Sequence, residues 1–119
     1  MSRRTERLQD QIRSDLSDLL RREVTDPRLA SDAIVSITEV ELTADLRHAR
    51  VYISILGTAE QVHESFAAIK HATGFLRHEL ARRLTLRYVP ELTFYLDQSV
   101  ERGARVLELL KQVQEQNDG

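Results

Sequence analysis

Cysteine and tryptophan are both absent from this 119-residue chain, which also has only 2 prolines and 4 glycines. Without cysteine there can be no disulfide and no thiolate metal site, which fits a reducing cytoplasm. Aromatics make up 5% of the residues, and nothing in the sequence groups Tyr52, Tyr88 and Tyr95. Core or edge packing is therefore expected of them rather than base stacking. The chain also lacks a long apolar run. Its longest nearly apolar stretch, residues 51–56, is far too short to cross a bilayer. The opening residues are charged and no apolar segment follows them, so no secretory leader and no membrane contact are expected.

Sequence signatures of catalysis are missing too. There is no Walker loop, no G-x-S-x-G elbow, no H-E-x-x-H and no Rossmann glycine set, so nothing positive supports an enzyme or a cofactor. The four histidines do not suggest a metal site. His71 and His78 lie about 10 Å apart along a helix, and His48 and His63 have no ligand-spaced partner.

What is present is an ordinary globular composition, 41% hydrophobic and 30% charged. The length suits one domain over residues 1–119, with an ordered core at about 5–113. Net charge is −2, from 17 Lys and Arg against 19 Asp and Glu. Taken alone, that opposes nucleic-acid binding, which needs cations to neutralise phosphates. The distribution matters more. Residues 65–90 hold five cations against the single carboxylate of Glu79, whereas residues 97–119 carry three against five carboxylates. Such polarity is what a binding face requires.

Apolar residues Leu8, Ile12, Leu16, Leu19 and Leu20 fall at helical spacing over residues 5–23. Asp26-Pro27 is expected to end that helix, with a loop over 28–33. A strand follows over 34–42. Val35 and Ile37 point one way there and Val40 and Leu42 the other, so a bulge near Glu39 is expected. Residues 48–56 alternate, with Ala49, Val51, Ile53 and Ile55 on one face, and pair with the first strand as an antiparallel hairpin. Thr58 and Gln61 match a capping box for a helix over 59–71. Gly74 interrupts the pattern, which resumes with Leu76, Leu80 and Leu84, so one helix broken near Gly74 is expected. A third strand is expected over 86–97, with Pro90 at its start or on an edge. Ser99 then caps a last helix carrying Val100, Ala104, Leu107, Leu110 and Val113, before a fraying polar tail. The result is an α+β two-layer sandwich.

That order, α-β-β-α-(kink)-α-β-α with a three-stranded sheet, looks like a type II K-homology fold. Specific blocks narrow it. Arg4-Thr5-Glu6-Arg7-Leu8 opens the first helix and Asp26-Pro27-Arg28 follows it. Asp45-Leu46 and Ala49-Arg50-Val51-Tyr52-Ile53-Ser54 build the hairpin, and Ala72-Thr73-Gly74-Phe75-Leu76-Arg77 spans the break. Leu86-Arg87-Tyr88-Val89-Pro90-Glu91-Leu92-Thr93-Phe94, then Asp97-Gln98-Ser99 and Gly103, close the set. Together these resemble the ribosome-binding factor A family over about residues 3–113. The resemblance implies a monomeric, non-catalytic, cytoplasmic maturation factor. Such a factor binds immature 30S ribosomal subunits and 16S rRNA, assists late 16S rRNA processing and supports growth in the cold. It also implies a link to assembly GTPases. Ordinary K-homology domains clamp the backbone with a GXXG loop. Here Gly74-Phe75-Leu76-Arg77 fails that pattern, and the family's Ala-x-Gly kink is matched by Ala72-Thr73-Gly74. Recognition by shape and phosphate contact is expected more than base reading.

The candidate RNA contacts are Lys70, Ala72, Gly74, Arg77, His78, Arg82, Arg83 and Arg87 around the break. Arg4 and Arg7 on the first helix, and Arg47 and Arg50 at the hairpin, extend the set. Arg suits phosphate through its planar, multi-donor guanidinium, and amides opening the second half-helix favour anions. Small residues at the break have a plainer explanation in close packing, and charge runs in a solvated face. The competing function is a protein–protein or dimerisation module that does not bind RNA.

Overall fold

The computed structural model describes residues 3–24, 26–30, 33–86 and 88–97. The expected last helix, its Ser99 cap and Arg87 lie outside the described residues.

Helix α1 runs Arg3–Arg22 and buries Ile12, Leu16 and Leu19 completely. Glu6 in its first turn and Arg21 and Arg22 in its last complement the helix dipole. It stops short of Asp26-Pro27. The amides of Glu23 and Val24 both turn back onto the Leu19 carbonyl, at 2.9 and 3.2 Å. Pro27 instead opens a short 3-10 turn, Pro27–Ala30. Asp26 organises that turn by accepting from the Arg28 amide at 3.0 Å and pairing with its guanidinium at 2.6 Å. The Arg28 bonds pull the Asp26 carboxyl down from 3.8 to about 2.

Strands β1, Ile34–Leu42, and β2, His48–Leu56, form the antiparallel hairpin. The register slips between Ile37 and Glu39, at the expected bulge. The slip brings Ile37, Val40 and Leu42 all to the core side. In the connecting turn, Asp45 accepts from Thr43 Oγ1 at 2.6 Å and from the Arg47 amide at 3.0 Å. Leu46 is held left-handed at φ 60°.

Thr58 and Gln61 complete the capping box of α2, Ala59–His71. Gly57 belongs to that cap, because a Cβ there would meet Gln61 Oε1 at 2.6 Å. The helix breaks at Ala72, beside Gly74 as expected, and α3 runs Thr73–Arg83. The Ala72 amide is shared between the Ala68 and Ile69 carbonyls, and Thr73 Oγ1 donates to the Lys70 carbonyl at 2.7 Å. The third strand is shorter than expected. β3 spans Glu91–Leu96, beginning just after buried Pro90, and pairs in parallel with β2. Proline has no amide to donate, so the ladder starts at the Glu91 amide, which donates to the Arg47 carbonyl at 2.8 Å.

The sheet order β1-β2-β3 leaves β2 central. Ala49, Val51, Ile53, Leu92 and Phe94 join Ile12, Leu16, Ile69, Leu76 and Leu80 in one core beneath the helices. The opposite face carries exposed Glu39, Arg50, Thr93 and Tyr95. This is the expected two-layer α+β arrangement.

Candidate nucleic-acid interface

The α2–α3 elbow forms because the apolar pattern continues while the helix axis does not. Ile69, Leu76 and Leu80 are fully buried on both sides of Ala72. Lys70, Gly74, Phe75, Arg77 and His78 are therefore left on the solvent side. Gly74 has no structural need to be glycine. Its φ is not positive, and a Cβ there would meet nothing within 4 Å. Close packing therefore does not explain glycine at position 74, and its outer side is open.

The candidate cations divide into distinct groups. The Lys70 ammonium lies over the Phe66 ring at 5.5 Å. Arg77 Nη2 donates to the Val89 carbonyl at 2.9 Å. Arg47 lies over the Tyr88 ring at 5.8 Å. Among the described residues, no carboxylate stands within ion-pair distance of Lys70, Arg47 or Arg77, nor of Arg4 or Arg7. The last two are exposed on the first turns of α1. Gln9, one turn on, accepts from the Leu42 amide at 3.0 Å and sets that end of α1 beside the hairpin.

The other cations are engaged within the fold. Arg83 turns inward to α1, 3.0 Å from Asp18 and 3.7 Å from Asp15, with Glu23 at 3.9 Å. The bond to Asp18 raises its already high pKa. Arg82 pairs with Glu79 at 3.4 Å. Arg50 stands on the far face of the sheet, 3.8 Å from Glu41, so the structure does not bring it to the elbow. The sequence run of cations is thus split between a seam that joins α3 to α1 and an open surface.

Two groupings were not visible in the sequence. Arg47, His48, Arg77, Tyr88, Val89 and Glu91 line a cleft of about 210 Å³. On the far face of the sheet, Tyr52 and Tyr95 stack with ring centroids 5.5 Å apart, because the parallel register places them side by side. Tyr88 is 64% exposed and Tyr95 43%; neither lies in the core, and Tyr95 packs on the edge strand β3, one of the two roles expected. The only sequence signal for either grouping was the aromatic residue itself. No cluster of three or more metal-ligating side chains occurs among the described residues, and none of their helices is long and apolar enough to cross a membrane.

Residues 4–110 match the sequence profile of a family described as ribosome-binding factor A. The chain is 44% identical to ribosome-binding factor A of Caldanaerobacter subterraneus over 98% of this chain and 93% of that one. An NMR structure of a candidate ribosome-binding factor A from Thermotoga maritima superposes with a TM-score of 0.71 at 37% identity, covering 83% of this chain and 92% of that one. A homology model of the Thermus thermophilus factor, fitted into a cryo-EM map of its 30S complex, superposes with a TM-score of 0.62 at 26% identity. It covers 77% of this chain and 93% of that one.

Proposed function

The chain belongs to the ribosome-binding factor A family, and on that premise we propose that it binds immature 30S subunits through 16S rRNA and assists a late step of their maturation. The role is non-catalytic and cytoplasmic, and includes support of 16S rRNA processing and of growth in the cold. One observation carries the reading. Lys70 and Arg77 stand without a carboxylate partner among the described residues, on the solvent side of an elbow whose Gly74 is open to approach, and Arg47 stands likewise across the cleft that Arg77 lines. A chain of net charge −2 thereby offers phosphate one attractive side. Gly74 lets the backbone come close, with Ala72 half-buried against the core beside it and His78 exposed on the same helix. Arg4 and Arg7 widen the surface at the hairpin end. Arg82, Arg83 and Arg50 contribute least, since each already faces a carboxylate. The Thermus relative fitted into a 30S complex supports the same partner here.

Two measurements test this. In sedimented lysate the protein should travel with free small subunits; migration with neither subunits nor ribosomes argues against it. Binding to small-subunit RNA should fall steeply with salt, by roughly 0.7–0.9 log units per log salt for each phosphate neutralised. Gly74→Val should impair maturation while leaving the thermal midpoint near wild type, because the added side chain meets open space. A variant that unfolds instead makes Gly74 a folding residue.

A further inference from the structure

We propose that the cleft between Arg47, Arg77 and Tyr88 takes one unpaired nucleobase of RNA, stacked on the Tyr88 ring and hydrogen-bonded through an exocyclic amino group to Glu91. The inference rests on the RNA-binding reading above and adds base selection to a surface otherwise suited to phosphate. The cleft is assembled from three separate stretches: Arg47 and His48 opening β2, Arg77 on α3, and Tyr88, Val89 and Glu91 around the start of β3.

Its walls are held in place. The Arg47 amide is fixed by Asp45 and its carbonyl by the Glu91 amide. The residue before it, Leu46, is kept in the left-handed region, a conformation a leucine adopts only when its surroundings impose it and one that gathers at ligand sites. Arg77 spends one donor on the Val89 carbonyl, which ties α3 to the β3 entry and leaves the rest of its five-donor guanidinium for phosphate.

The chemistry of the lining selects the ligand. Tyr88 is an exposed aromatic face with a guanidinium already 5.8 Å above it. Widening that gap to about twice the ~3.4 Å stacking rise admits a base between ring and cation, where both faces gain stacking and cation–π attraction. Among the described residues Glu91 is the one carboxylate on the lining, 3.5 Å from His48 Nδ1. It repels phosphate, so it directs the backbone toward Arg77. It accepts from the amino group of cytosine, adenine or guanine and repels the carbonyl that uracil presents in its place.

The test uses the full chain and two short, labelled single-stranded RNAs, one of uridine alone and one with a single cytidine, read by fluorescence anisotropy. Wild type should favour the cytidine strand. Tyr88→Ala should weaken that strand about 5- to 160-fold, with an unchanged salt slope because the ring is uncharged. Tyr88→Phe should retain binding, and Glu91→Ala should erase the cytidine preference. Arg47→Met keeps an apolar stem and probes the same stack; it should lose part of the preference even if Tyr88→Ala folds poorly. If salt-dependent RNA binding persists and Tyr88→Ala and Arg47→Met both bind as wild type does, the base site is overturned and the RNA reading stands. If wild type binds neither these strands nor small-subunit RNA, both fall.

Discussion

Helix α3 presents two cationic sides that look alike in sequence and do opposite work. On the side facing α1, Arg83 lies among Asp15, Asp18 and Glu23. Its charge serves to hold two helices together. On the open side, Arg77 has a carbonyl for a partner and, among the described residues, no carboxylate, and Lys70 across the elbow has an aromatic ring. The contrast shows that a local excess of cations says little about binding until their partners are known. A cation matched within the fold has little left to offer a phosphate.

The largest expected effect concerns the face that both sides share. Leu80 is fully buried, and Leu80→Ala should cost roughly 2–5 kcal/mol of stability, measured by urea unfolding. It should alter RNA affinity only through the unfolded fraction. A loss below 1 kcal/mol would mean that the elbow is not held by the core as described.

Next come the two cationic sides, compared directly. Lys70→Ala with Arg77→Ala should lower the salt slope of RNA binding by about 1.4–1.8, with the thermal midpoint nearly unchanged. Arg83→Ala should do the reverse, lowering the midpoint by less than Leu80→Ala does and leaving the slope alone. Equal effects of the two variants on the slope would erase the distinction between seam and surface.

The smallest effect is a pH response away from both sides. Arg28 holds the Asp26 carboxyl at about 2 against an ordinary 3.8. A depressed carboxyl stabilises the fold fully above its unfolded value, and that contribution drains as pH falls through the folded one. The stability gap between wild type and Arg28→Ala should therefore be constant above about pH 4 and close between 3.8 and about 2. A gap independent of pH down to 2 would dismiss the pair. RNA affinity should not distinguish the two proteins at neutral pH.

Much of the fold could be read from neighbouring residues. The bulge between Ile37 and Glu39 was announced by the change of parity from Val35 and Ile37 to Val40 and Leu42, because a strand's faces alternate strictly. The cap of α2 was written in Thr58 and Gln61. The break in the helix pair was legible too, since the helix expected over 59–71 is α2 and the break expected near Gly74 falls at Ala72. Gly74 weakens a helix and so marks the region, and the backbone turns at Ala72, between buried Ile69 and Leu76. Leu86 and Tyr88 suit a strand and extend the expected β3 beyond its observed start, because only pairing with β2 fixes where the ladder begins.

The site was legible in composition and illegible in partnership. Arg83 and Asp18 stand on different helices, and no local rule pairs them. Arg47 and Tyr88 come together only because β3 returns parallel to β2. The sequence by itself determined the elements, the buried faces and the concentration of cations near the elbow, since these depend on periodicity and local chemistry. Only the tertiary structure decided which cations are neutralised, that Gly74 faces open space, and that a tyrosine and two arginines share one cleft. Such pairings follow from through-space distance, which is set when the core closes and not by the order of residues along the chain.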